Sequence, residues 1–170
     1  MDAIERAFVA LNRWVLIVLL AAMACIVFAN VTLRYLTNDS LVWAEEVARY
    51  LMVWLTFLGA GQVLRFGGHI AIENLHDVLP GAVGRALRCV LVLVLLAFFG
   101  VMAWYGVAYT SVMRFQTTAA TGISFAWVYT AIPIGFGLLA AHLLLVARRY
   151  VLERRMMKSD EIDAETAASA

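Results

Sequence analysis

The sequence has little charge and little cysteine, and each shortage excludes a class of protein. Of its 170 residues, 15% are charged and 64% are hydrophobic. A typical soluble domain has about 25% charged residues and about 45–50% apolar residues. So few polar side chains cannot cover a water-facing globule, which excludes a soluble enzyme. The 13 Lys and Arg residues form no long basic tract, which excludes a nucleic-acid-binding domain. The only cysteines are Cys25 and Cys89, too few for a disulfide scaffold.

The sequence instead contains long runs without a charged residue, and such runs are typical of membrane spans. They cover residues 14–33, 50–64, 89–113 and 115–147. We therefore predict an all-α integral membrane protein. Its four transmembrane helices are expected at about residues 14–35, 42–64, 88–112 and 123–147. They would form one membrane domain over 1–158, followed by a disordered cytoplasmic tail at 159–170, which is rich in Asp, Glu, Ala, Ser and Thr.

The distribution of Lys and Arg predicts the orientation of these spans. Ten of the 13 basic residues fall in the N-terminal segment, the connection between spans two and three, and the C-terminal tail, and three fall on the other side. The positive-inside rule therefore places both termini in the cytoplasm.

The start of the second span is the most polar part of the membrane domain. Glu45 and Glu46 precede Arg49 by four and three residues, so both carboxylates can reach its guanidinium on one helix face. Arg34, at the end of span one, is one short loop away and could reach either acid. Two interpretations stay open: a local cluster that seats a short span at the interface, or a polar contact to lipid headgroups or a partner subunit. The residues assigned to this contact, called the outer contact below, are Arg34, Tyr35, Trp43, Glu45, Glu46 and Arg49.

The connection between spans two and three predicts a short helix lying on the cytoplasmic membrane surface. One glycine pair, Gly67-Gly68, and Pro80-Gly81 bound the stretch, and apolar residues recur within it at helical spacing. The residues assigned to this interfacial helix are His69, Ile72, Glu73 and Leu75.

Two residues of the fourth span suggest chemistry and are better explained by packing. Pro133 removes a backbone donor, so we predict a helix kink there rather than a substrate site, since no charged residue is nearby. His142 is the only histidine within a predicted span, and one histidine cannot hold a haem between two histidine ligands. We expect His142 to be an interfacial or helix-packing residue.

Four stretches, taken in order, are similar to one known family. They are NVTLRY at 30–35, WAEEVARY at 43–50 with FLGA at 57–60, GHIAIENL at 68–75, and SFAW at 124–127 with YTAIPIG at 129–135. Over roughly residues 10–150 the chain resembles the small membrane (DctQ-like) subunit of the tripartite ATP-independent periplasmic (TRAP) transporters. Glu73 stands where that family more often has Asp.

The resemblance implies a scaffold subunit in the bacterial inner membrane that does not itself carry the substrate. It implies a large multi-span permease partner that holds the sodium and substrate sites, and contacts with membrane lipids. It also implies a periplasmic substrate-binding protein that delivers an organic acid, such as a C4-dicarboxylate. The six residues of the outer contact would then touch lipid or a subunit, none would be catalytic, and this chain would hold no cofactor or metal.

A second hypothesis is a small carrier that works alone as a homodimer and uses Glu45 or Glu46 to move protons. The carboxylates of a proton-coupled carrier are expected near the bilayer midplane, and these two lie near the end of a span.

Overall fold

The computed structural model describes residues 3–65 and 81–153, and these residues fold into helices. The helices are α1 (Ala3–Thr37), α2 (Ala44–Arg65), α3 (Gly81–Met113), α4 (Phe125–Tyr129) and α5 (Ala131–Glu153). Within the described ranges the only β pairing is an isolated bridge between Thr117 and Ser124. The predicted all-α fold is therefore confirmed.

Four segments are long and apolar enough to cross a membrane, with α4 and α5 together forming the fourth. Helices α1 and α3 have 35 and 33 residues, about 50 Å each at 1.5 Å per residue. They are longer than a hydrocarbon core of about 30 Å. Their charged N-terminal ends, with Glu5 and Arg6 in α1 and Arg85 and Arg88 in α3, therefore project beyond the apolar spans. The predicted interfacial helix, with His69, Ile72, Glu73 and Leu75, and the predicted tail at 159–170 lie outside the described residues.

The inner end of the bundle is defined here as the end where α1 and α3 begin and where α2 and α5 end. The outer end carries the two connections at 38–43 and 114–124. On the predicted topology the inner end faces the cytoplasm.

Helices α2 and α5 are central, and α1 and α3 are the outer helices. Helix α1 packs mainly on α2, α2 packs on α5, and α5 packs on α3. The buried core lies between the inner halves of α2, α3 and α5 and contains Leu64, Val92, Phe99, Leu139, Leu143 and Val146.

Glycines let the central helices approach closely. A Cβ atom added at Gly135 of α5 would lie 2.6 Å from Phe57 Cβ and 2.9 Å from the Phe57 carbonyl oxygen in α2. A Cβ atom at Gly106 of α3 would lie 3.0 Å from side-chain atoms of Ile132 and Pro133. Close contact of this kind stabilises helix pairs in lipid, where van der Waals packing is a main attraction.

The fourth span is interrupted at Thr130, between α4 and α5. Pro133 has no N–H to donate to the carbonyl of Tyr129, four residues earlier, and its ring crowds that carbonyl. Helix α4 accordingly ends at Tyr129, and Pro133 lies in the first turn of α5, where a missing donor is tolerated. Thr130 closes the break, since its N–H and its hydroxyl both donate to the carbonyl of Ala126, at 2.9 and 2.6 Å.

We predict that Gly135→Ala destabilises the fold by about 1–3 kcal/mol, the usual cost of overpacking. The added methyl group collides with the backbone of Phe57, which cannot move without shifting α2. The matched control is Gly137→Ala in the same helix, where a Cβ atom meets nothing within 4 Å. Thermal unfolding in mild detergent should show a lower Tm for Gly135→Ala only, and equal Tm values would contradict the packing described.

Candidate functional site

The connection between α1 and α2 is fixed by a buried asparagine. Asn30 is 8% exposed, and its Oδ1 accepts a hydrogen bond of 2.8 Å from the N–H of Leu41. Asn38 has a φ of 56°, a left-handed conformation that asparagine tolerates, and it turns the chain after α1. Asn30 therefore sets the path of the residues that lead into α2.

The connection between α3 and α4, residues 114–124, is an ordered loop held by its own hydrogen bonds. The N–H of Thr118 donates to the carbonyl of Ile123 at 2.9 Å, and the hydroxyl of Ser124 donates to the carbonyl of Arg114 at 3.0 Å. Gly122 makes the turn with a φ of 68°. Thr118 is 4% exposed, so the loop has a small buried centre of its own.

Glu46, in the first turn of α2, binds this loop. Its carboxylate accepts hydrogen bonds from the N–H of Ala120 at 2.8 Å, the N–H of Thr121 at 3.2 Å and the hydroxyl of Thr121 at 2.6 Å. We call Glu46, Thr118, Ala120 and Thr121 the outer cluster. It ties α2 to a loop that is 74 residues away in sequence.

The pairing of Glu46 with Arg34 or Arg49 that the sequence spacing allows does not form among the described residues. The Glu46 carboxylate is directed at the loop because two backbone N–H groups and a hydroxyl converge on it there. Among the described residues, the ion pair that forms is Glu5 with Arg65, at the opposite end of the bundle.

The other residues assigned to the outer contact lie on the exposed surface of the outer end. Tyr35 is 84% exposed and Trp43 is 42% exposed. The side chains of Arg34, Glu45 and Arg49 are also exposed. Their predicted contact with lipid or a subunit stays a prediction.

A second polar cluster, the inner cluster, consists of Glu5, Asn12, Arg65 and His142. Arg65 Nη2 lies 2.6 Å from Glu5 Oε1, and the side chains of Arg65 and Glu5 are 2% and 11% exposed. This ion pair joins the first turn of α1 to the last turn of α2. Desolvation makes a buried pair of this kind weak evidence for stability, but the loss of either partner would leave a buried charge.

Asn12 and His142 join three helices at the same end. Asn12 Nδ2 donates to the carbonyl of Leu58 in α2 at 3.2 Å and lies 3.4 Å from His142 Nε2 in α5. His142 is fully buried, packs against the ring of Phe8 at a centroid distance of 4.9 Å, and covers Gly61. A Cβ atom at Gly61 would collide with the imidazole, so only glycine leaves room for it.

Sequence reasoning identified His142 as a packing residue and missed Asn12 entirely. One signal was present: Asn12 lies two residues before an uncharged run of 20 residues, and a buried amide there must find a partner within the protein. Its partner is 130 residues away, so no local pattern indicated it.

Both clusters join helices and loops of the chain and show no reactive arrangement. In the described ranges, no group of three or more His, Cys, Asp or Glu side chains could hold a metal ion. Cys25 and Cys89 are free and exposed. The clusters are therefore ties between the chain's own elements.

Large apolar faces remain exposed on the two outer helices. Trp14, Val18 and Phe28 of α1 are 59%, 62% and 74% exposed, and Leu93 and Trp104 of α3 are 65% and 75% exposed. Faces of this kind contact lipid or another membrane protein.

A shallow apolar groove of about 460 Å³ also opens beside α3. It is lined by Met102, Tyr105, Gly106, Ala108, Tyr109, Val112 and Ile132.

Comparison with known proteins gives one consistent result. The family described as "Tripartite ATP-independent periplasmic transporters, DctQ component" matches residues 23–153. The chain is 31% identical to the ectoine TRAP transporter small permease protein TeaB of Halomonas elongata, over 82% of this chain and 74% of that protein. It is 26% identical to the sialic acid TRAP transporter small permease protein SiaQ of Vibrio cholerae, over 69% of this chain and 68% of that protein.

A third relative is much longer than this chain. The sialic acid TRAP transporter permease protein SiaT of Haemophilus influenzae is 25% identical over 73% of this chain, and the match covers only 20% of that protein. In that relative, the segment similar to this chain is part of a larger permease.

We predict that Glu46→Gln loosens the loop at 114–124 while the helices stay intact. An uncharged amide forms weaker hydrogen bonds than a carboxylate, and its NH₂ group cannot accept any. Hydrogen exchange should become several-fold faster at Ala120 and Thr121, whose N–H groups lose their acceptor. Glu45→Gln, one residue earlier and exposed, is the control and should change nothing. Unchanged exchange in Glu46→Gln would show that the carboxylate does not hold the loop.

Proposed function

Because the chain belongs to the DctQ component family of the TRAP transporters, we propose that it is the fixed scaffold of such a transporter rather than its carrier. It is a small permease subunit and a multi-pass protein of the inner membrane. The family is a transport component, so the chain is not an enzyme.

The observation that carries this proposal is the apolar character of the middle of each span. No Asp, Glu, Lys or Arg lies within residues 14–33, 50–64, 89–113 or 125–147. A carrier replaces the hydration shell of an ion or polar solute with protein groups at membrane depth, and ionisable residues mark such paths. His142, the ionisable imidazole within these runs, is buried against Asn12 and Phe8.

The exposed faces of α1 and α3 support a large membrane partner. A four-helix chain that packs in the order α1, α2, α5, α3 leaves both outer helices with one open side. The longer relative SiaT contains a similar segment within one larger permease chain. We propose that here the two parts are separate subunits, and that a large multi-span permease covers one of these faces while lipid covers the other.

The remaining parts of the transporter follow from the same proposal. The large permease would hold the substrate and the sodium ions, and a periplasmic binding protein would deliver the substrate to the outer end. The relatives' names mention ectoine, sialic acid and C4-dicarboxylates. We propose a small organic solute that carries a carboxylate, with its identity set by the partners.

The alternative, a homodimeric carrier that uses Glu45 or Glu46, has less support. Glu46 already accepts three hydrogen bonds from the outer loop, so its carboxylate is engaged in holding the fold. Both acids lie in the first turn of α2, far from the middle of the span.

Co-purification combined with uptake tests the proposal. We expect the tagged chain, extracted from native membranes in mild detergent, to bring down a large multi-span permease in a fixed ratio. We also expect Glu46→Gln to weaken that assembly, while the transporter that does assemble keeps its ion dependence. A chain that purifies only with itself, or a Glu46→Gln variant that assembles fully but has lost ion-coupled uptake, would favour the carrier.

A further inference from the structure

The surroundings of His142 determine where its proton lies. The Leu58 carbonyl can only accept a hydrogen bond, and Asn12 Nδ2 lies 3.2 Å from its oxygen, so the Asn12 atom on this side must be the amide nitrogen. The same nitrogen lies 3.4 Å from His142 Nε2. Since this nitrogen is a donor, the contact favours an unprotonated Nε2 and a neutral ring with its proton on Nδ1, which is buried without a hydrogen-bond partner among the described residues.

We propose that this contact is a protonation-dependent latch on α1. Asn12 joins α1 to Leu58 of α2 and to His142 of α5 while His142 is neutral. A second proton, on Nε2, sets two donors against each other and moves the inner half of α1 away from α5.

The dependence on protonation follows from which atoms of His142, Asn12 and Leu58 can donate a hydrogen bond and which can only accept one. With Nε2 protonated, its N–H would point at the Asn12 amide nitrogen, and two donors would face each other. A turn of the Asn12 amide would present Oδ1 to Nε2, but the same oxygen would then face the Leu58 carbonyl, and two acceptors would meet. Neither orientation satisfies both neighbours of Asn12.

Close packing prevents the ring from relieving this conflict by turning away. His142 is fully buried and Asn12 is 6% exposed. The imidazole covers Gly61, where even a Cβ atom would collide, and it packs on Phe8. Helix α1 is an outer helix that packs mainly on α2, whereas α5 is held by both α2 and α3. Helix α1 is therefore the helix that moves relative to α5, while the Glu5–Arg65 ion pair and the hydrogen bond from Gln62 to the Val9 carbonyl still join it to α2.

Charged groups from each neighbouring helix lie at the same end. Glu5 of α1 and Arg65 of α2 form an ion pair that acts electrostatically on the ring. Arg88 of α3 is directed away from it, since its Nη2 donates to the carbonyl of Val151, nine residues beyond His142 in α5. Glu5 and Arg65 are therefore the charged side chains that act on the ring.

The first part of the test reads the position of the proton. The chain has three histidines, His69, His76 and His142, so imidazole ¹⁵N labelling of this chain in the assembled transporter gives three ring systems. The one that disappears in His142→Gln belongs to His142. At neutral pH we expect its proton on Nδ1, and a neutral ring protonated on Nε2 would overturn the proposal.

The second part follows α1 while the pH falls from about 7.5 to about 4, with the protonation state of His142 read from its ¹⁵N signals at each pH. Spin labels at Leu11→Cys and Leu144→Cys, with Cys25 and Cys89 replaced by alanine, report the distance between α1 and α5. Both sites are exposed, at 65% and 60%. We expect the distance distribution to shift to longer values at the pH where the ¹⁵N signals show His142 gaining its second proton.

One variant assigns the shift to His142. His142→Gln keeps an acceptor for Asn12 and does not titrate, so its distance should stay at the neutral-pH value throughout. The proposal is overturned if His142→Gln opens like the parent, or if His142 is protonated without a change in distance. It is also overturned if His142 stays neutral at every pH at which the transporter remains assembled.

Discussion

Hydrocarbon offers no water to a polar group, and this constraint determines how the polar side chains of the four spans are used. Isolated hydroxyls bond to their own helix: the hydroxyl of Thr56 donates to the carbonyl of Met52 at 2.9 Å, and that of Thr110 to the carbonyl of Gly106 at 2.8 Å. The few larger polar side chains reach across to other elements. Their hydrogen bonds and ion pair join helices that otherwise have few polar contacts with one another.

The positions of these ties explain the architecture. The outer cluster at Glu46 binds the loop between α3 and α4 to α2, and the inner cluster binds α1 to α2 and α5. Between the two ends, helix contact depends on apolar side chains and on glycines such as Gly135, where a Cβ atom would collide with the backbone of α2. A bundle fixed at both ends in this way is suited to a subunit that keeps its shape while a neighbour moves.

The sequence was sufficient for the fold class because the relevant signal is local. A run such as 14–33 without a charged residue predicts a span regardless of what surrounds it. The partner of a polar side chain is a different problem. Glu46 had two candidate partners within reach, Arg34 and Arg49, and it bonds instead to a loop 74 residues later. Asn12 meets a histidine 130 residues away. Helical periodicity contains no information on such distant pairs, whereas the break before Pro133 is local and follows from its missing N–H.

The central claim is that this chain stays fixed while its partner transports. Hydrogen–deuterium exchange of the assembled transporter tests it most directly, with and without substrate and sodium. The account predicts that exchange in α2, α5 and the loop at 114–124 is the same in both conditions, and that changes appear in the partner permease. Substrate-dependent exchange around Glu46 or along the middle of α2 would contradict the account, because it would place this chain among the moving parts.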